Sequence, residues 1–161
     1  MSVKTQGSEL FIADTLSSSV AAVLKMACPT GITGLGGPAD QIDTTCLDNT
    51  EDRSFVRGLG NPGQVSVPFV LKPWETSHQV LFDLKEAGDT LSMMICLSDG
   101  SDPPTLDSND ALAAPADRTS FGFSGYIADV NLDIATNEVV RGTLTIQRSG
   151  AVTPYWNGPT P

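Results

Sequence analysis

Apolar and polar positions alternate with a strand-like period of two over much of this chain, and with a helical period in one place. Residues 8–13 (SELFIA) read as a short first strand. Residues 21–28 (AAVLKMAC) are apolar with little alternation and fit strand or helix equally. Pro29 and the run TGITGLGGPA end that element, because no regular interior tolerates such glycine and proline density. Residues 41–47 (QIDTTCL) alternate, with Ile42, Thr44 and Cys46 on one face. Residues 48–63 (DNTEDRSFVRGLGNPG) are charged, then rich in Gly and Pro, and read as a long loop or loose hairpin. Residues 64–72 (QVSVPFVLK) form a β-rich strand, and Pro68 places it at an edge or bulge, since proline lacks the N–H a central ladder needs.

The helical period follows. Thr76 is placed to cap a helix, with Gln79 three residues on completing a capping box. Val80, Leu81, Leu84 and Ala87 make one apolar face, and Gly88 sits where a left-handed C-cap belongs. Trp74 just before it reads as a buried anchor at the strand-to-helix corner. Residues 91–97 are apolar on both faces, as in a central strand covered on both sides. Residues 98–120 are rich in Asp, Pro, Ser and Ala and read as an acidic surface insertion. Residues 121–134 and 139–148 form a long hairpin turning at ATNE, where Asn137 tolerates positive φ. The tail, residues 149–161, reads as mobile or docked on a neighbour, with Tyr155 and Trp156 as candidate contacts between subunits. The pattern predicts one domain over 1–161, mainly β with one short helix.

Charge narrows the function. Nine basic and nineteen acidic residues give a net charge of −10. No basic cluster is present to neutralise phosphates, which argues against tight nucleic-acid binding and against an anionic membrane surface. No run approaches the ~20 apolar residues of a membrane span, and the first twenty residues show no signal-peptide pattern. Cys28, Cys46 and Cys96 match neither a CxxC site nor a secreted disulfide framework, and Cys96 in LSMMICL reads as a core thiol.

Candidate chemistry changes the picture little. Gly58, Gly60 and Gly63 match G-x-G-x-x-G, but a dinucleotide site needs that motif between a strand and a helix. Here Pro62 interrupts it and a strand follows, so it reads as a hairpin tip. Asp99, Asp102, Asp107, Asn109 and Asp110 lack the spacing of a calcium loop. His78, the one histidine, has no nucleophile or orienting acid grouped with it. Asp129 and Asp133 on one strand face stand about 13 Å apart, beyond the reach of a paired acid and base. No catalytic, cofactor or metal residue is expected.

The order and spacing of these elements resemble those of the tail tube proteins of long-tailed, non-contractile, lambda-like bacteriophages. KTQGSELFIA resembles that family's opening strand. DQIDTTCLDNTEDRSFVRGLGNPGQVSVPFVLKPWE resembles its strand, long loop and return strand. HQVLFDLKEAGDTLSMMICLSDG resembles its helix and next strand, and FGFSGYIADVNLDIATNEVVRGTLTIQRSG its closing hairpin. The resemblance spans nearly the whole chain. The expected departures from it are a longer insertion at 98–120 and no extra C-terminal immunoglobulin-like domain of the kind that the family often carries.

The resemblance implies packed β-sheets flanked by a helix, with six copies closing a β-barrel ring and rings stacking into a tube. It implies a structural virion component, not an enzyme, that conducts DNA without holding it. Expected partners are other copies of the chain, a tape measure protein, a tail terminator and a distal tail protein, with no membrane insertion. The loop at 48–63 is expected to reach the adjacent ring through Asp48, Glu51, Asp52, Arg53, Arg57, Gly58 and Gly60. Asp129 and Asp133 are expected to face the channel. Alternative readings are a tube subunit of a contractile tail or secretion machine, or a β-sandwich decoration or binding module on a virion.

Overall fold

A computed structural model describes residues 2–16 and 20–157, which form ten strands and one helix. The strands are β1 (Glu9–Asp14), β2 (Ala22–Lys25), β3 (Ala39–Asp43), β4 (Phe55–Gly60) and β5 (Gln64–Val70), then β6 (Leu91–Cys96), β7 (Thr105–Leu106), β8 (Leu112–Ala113), β9 (Ser120–Asp133) and β10 (Arg141–Tyr155). The helix α1 (Thr76–Ala87) lies between β5 and β6. Six strands make one antiparallel sheet in the order β2-β1-β6-β9-β10-β5, while β3-β4 and β7-β8 are separate two-stranded ribbons.

The sheet curls back on itself. After β2 pairs with β1, the chain runs on to β5, where Pro29 bridges Phe69 and Thr33 bridges Ser66. One segment therefore links both margins of the sheet. The Pro68 carbonyl accepts from Thr30 N at 2.8 Å on this outer side. A residue's N and C=O point to the same side of a strand, so the missing proline N–H also faces outward and β10 loses no bond. Pro68 is thus at an edge strand, as its chemistry requires.

Inside the curl lies the main core. It contains Leu10, Ile12, Val65, Val67, Phe69, Met93, Ile95, Phe123, Ile127, Val130, Leu144 and Ile146, closed by Val80, Leu81 and Leu84 of α1. The opposite face of β1 and β6 buries Phe11, Ala13, Met94 and Cys96 against Leu112. The strand at 91–96 is therefore covered on both sides, as its unbroken apolar run predicts.

Several expectations need correction. Glu75, not Thr76, is the N-cap residue, without a side-chain cap bond. Gln79 instead donates from Nε2 to the Pro73 carbonyl at 2.7 Å, so no capping box forms. Gly88 does end the helix in the left-handed region, at φ 68°. Ala87 is exposed. Trp74 is 77% exposed, because the turn from Lys72 to Glu75 points it outward. The corner is anchored by His78, which is buried: its Nδ1 accepts from Lys72 N at 3.0 Å and its Nε2 lies 2.7 Å from the Ala27 carbonyl.

The insertion at 98–120 is docked, not loose. Its ribbon β7-β8 places Leu112 over β6, and Arg118 is fully buried. Residues 149–157 of the tail are held against the body. Residues Thr153–Tyr155 pair with Ser120–Gly122 beyond a bulge, and Trp156 meets Phe121 edge-on at 5.8 Å. Residues 158–161 of the tail fall outside the described part.

Candidate functional surfaces

Three surfaces stand out once the core is accounted for. The first is the outer face of β9, β10 and β5. Alternation, shifted by the bulge between Ile127 and Asp129, puts Ser124, Tyr126, Asp129, Asn131 and Asp133 on this face. Register places Thr143, Thr145 and Gln147 of β10, then Pro68, Ser66 and Gln64 of β5, beside them. Among the described residues no element covers this half of the sheet. It offers hydroxyls, amides and two carboxylates, with Arg141 at its end opposite Asp133. Asp129 and Asp133 thus share one strand face. Asp129 is ion-paired with Lys85 at 3.1 Å, across two exposed side chains, so the pair contributes little stability.

The second surface is a pair of free strand margins. β6 pairs with β9 only as far as Gly125, which leaves residues 126–133 of β9 unpaired on that side. β5 pairs with β10 only as far as Gln147, which leaves the margin of 149–155 open on the other side. The two overhangs lie at opposite ends and on opposite flanks of one long hairpin. Tyr155 and Trp156 sit at the end of the second, 42% and 72% exposed.

The third is the β3-β4 hairpin, which stands off the body. The expected 48–63 loop is shorter than its composition suggests, because Phe55–Gly60 is strand and pairs with Ala39–Asp43. Its tip spans residues 44–54 and is ordered by its own polar groups: Thr44 N donates to the Ser54 carbonyl and Asn49 Nδ2 to that of Asp52. Asp43 accepts from the Thr45 hydroxyl and amide, which lowers its pKa below the usual carboxylate value. Asp48, Glu51, Asp52 and Arg53 belong to this tip and are exposed. Arg57, Gly58 and Gly60 do not: they lie in β4, and Gly58 packs against the Asp40 backbone. Gly58 and Gly60 of the glycine motif are therefore strand, and Gly63 lies in the short link from β4 to β5. Ile42, Phe55, Val56 and Leu59 are each more than half exposed on this ribbon. An isolated two-stranded hairpin is marginal in water, and one that shows four large apolar side chains calls for a partner. Sequence reasoning missed this because FVRGL lies inside a segment that glycine and proline mark as loop.

No group of three or more His, Cys, Asp or Glu side chains converges among the described residues. A groove of about 1100 Å³ is lined by residues 5–9 and 25–33 with Leu35, Ile95, Leu97 and Phe121. Cys96 faces the second core, where burial pushes its thiol pKa up, as an inert thiol requires.

Residues 1–158 match the family model described as phage tail tube, lambda-like. "Structural protein 3" of Pseudomonas phage PAJU2 is 37% identical over 152 residues, covering 92% of this chain and 90% of its own. Among solved structures, the fold is similar to a sheath/tube terminator of an extracellular contractile injection system, at TM-score 0.68 and 12% identity, covering 97% of this chain and 98% of that one. It is also similar to a chain in the tail of an empty gene transfer agent particle determined with C6 symmetry, at TM-score 0.67 and 13% identity, covering 94% and 98%. With a match over nearly its full length and a phage structural protein as relative, this chain belongs to the lambda-like phage tail tube family and is a structural subunit of a phage tail tube.

Proposed function

We propose that six copies close into a ring through the two free margins of the β9-β10 hairpin, and that rings stack through the β3-β4 hairpin. The observation that carries this reading is the placement of the margins. One overhang lies on each flank of the same hairpin, so the contact between copies is head-to-tail, and a head-to-tail contact closes rings when its rotation divides a full turn. Each contact removes an unpaired edge that would otherwise template aggregation. Tyr155 and Trp156, still exposed at the end of the β10 overhang, extend the same contact.

The open polar face then lines the channel. Its strands contribute no lysine, the one lysine reaching it is Lys85 paired with Asp129, and its one arginine lies at the rim opposite Asp133. Six copies at −10 each surround passing DNA with a field that repels phosphate. The subunit acts without turnover, as a conduit for genome ejection. A tape measure protein within the tube and terminator and distal tail proteins at its ends are the remaining partners of this reading.

Negative-stain microscopy of the concentrated chain tests it. The expected result is six-fold rings and tubes from the natural sequence. A variant whose residues 44–54 are replaced by a two-residue turn is expected to give an unchanged circular dichroism spectrum and no stacked tubes. Isolated globules from the natural chain, or full-length tubes from the shortened one, would overturn it.

A further inference from the structure

At the base of the β3-β4 hairpin lies a cleft of about 600 Å³, walled by Gly37, Gly60, Asn61 and Arg57 on one side and by Arg148 and residues 150–152 on the other. Arg148 is only 5% exposed, yet it has no carboxylate partner among the described residues. One terminal nitrogen donates to the Gly36 carbonyl, and Nε is buried with no partner at all. Arg118 shows what this chain does with a comparably buried guanidinium. Its three nitrogens reach the Leu97 carbonyl at 2.8 Å, Glu9 at 3.0 Å and the Gly7 carbonyl at 3.3 Å. A buried charge without a counter-ion is costly, and that cost falls away when a partner brings the opposite charge. Arg57, exposed on the same cleft, forms no ion pair among the described residues either. Two unneutralised cations therefore share one opening in a strongly acidic protein.

We propose that Arg57 and Arg148 form a carboxylate receptor, completed in the assembly by Asp48, Glu51 or Asp52 at the hairpin tip of a second copy. This rests on the tube reading above. The tip carries three carboxylates against the single cation Arg53, whereas the cleft at the hairpin's base brings Arg57 of β4 beside Arg148 of β10, with Asp40 of β3 nearby. Arg57 lies in mid-β4 and Arg148 on β10, and no ion pair joins either to the tip carboxylates of its own copy among the described residues. The contact must therefore run between copies, tip to base, and repeat from ring to ring without closing. The planar fork of arginine suits bidentate binding of a carboxylate.

The test is assembly of the full chain, read as the critical concentration for tubes. Arg57→Glu changes an exposed side chain and is expected to fold normally while raising that concentration about tenfold or more, as loss of a desolvated interface charge pair does. Neutralising the tip with Asp48→Asn, Glu51→Gln and Asp52→Asn is expected to do the same. Combining Arg57→Glu with Asp52→Arg is expected to restore assembly, which a merely structural role for Arg57 would not predict. Arg148→Gln is read alongside by circular dichroism; if it fails to fold, the exposed variants carry the test. If the natural chain forms no tubes, the tube reading fails. If it does, and the Arg57 and tip variants assemble normally, the receptor is overturned. A block that the charge swap does not relieve overturns the tip as occupant. If Arg57→Glu abolishes binding of a short DNA duplex while tubes persist, the cleft takes phosphate, and the proposal is overturned in favour of DNA.

Discussion

Arg118 and Glu9 tie the insertion to the opening strand. Glu9 accepts from Arg118 on one carboxylate oxygen and from Lys25 on the other. Burial works to raise the Glu9 pKa, but the hydrogen bonds and charges of Lys25 and Arg118 outweigh it and hold it below the usual glutamate value. A carboxyl depressed on folding contributes stability above its unfolded pKa of about 4.3 and loses it as pH falls through the folded value. Glu9→Gln is therefore expected to be less stable than the natural chain at pH 7, with the gap narrowing below about pH 4. Urea midpoints measured from pH 7 down to pH 3 check this, and parallel curves would show that the pair contributes nothing. None of this was legible beforehand. Arg118 sits in a segment, PADRTS, that reads as surface, and its partner lies 109 residues away. Cys96 was legible, because a thiol inside an unbroken apolar run has nowhere else to go. Trp74 was not, since a turn decides which way a flanking side chain points.

Among the elements, local signals worked where one residue type enforces one backbone geometry. Gly88 is such a case. An added Cβ there would touch nothing within 4 Å, so any cost of substitution comes from the backbone alone. Gly88→Ala is expected to destabilise by roughly 1 kcal/mol, the cost of holding a non-glycine residue in the left-handed region. Gly60→Ala, also in open space but without positive φ, is expected to cost much less. Comparing the two thermal midpoints separates conformation from packing. The capping box failed because Gln79 had a better acceptor in the turn at Pro73, which a sequence pattern does not see. The β3-β4 hairpin was half legible. Its first strand showed alternation, but β4 is written in residues that usually mark loops, and pairing overrode that composition. Of the two readings of the tail, mobility gives way as far as Tyr155, because register with β9 holds Thr153–Tyr155 despite the nearby glycine and proline.

For the molecule as a whole, the open face of β9, β10 and β5 is where charge meets function. Tubes of an Asp129→Lys, Asp133→Lys variant are expected to form normally, since both side chains are exposed and the Lys85 pair contributes little. They are expected to retain a fluorescent DNA duplex that natural tubes exclude, with retention falling steeply between about 50 and 200 mM salt. Equal exclusion by both tubes would show that this face does not meet DNA. The sequence by itself determined the β-rich class, the single helix and its end, the strand buried on both faces, and the absence of a basic cluster for gripping phosphates. These depend on period, on backbone preference and on composition, all of which act within a few residues. The tertiary structure alone decided that the sheet curls through the segment linking β2 to β5, that β9 and β10 overhang their neighbours, and that one arginine lies buried without a counter-ion. Those features arise from pairings between residues far apart in the chain, and register and burial exist only once the chain has closed upon itself.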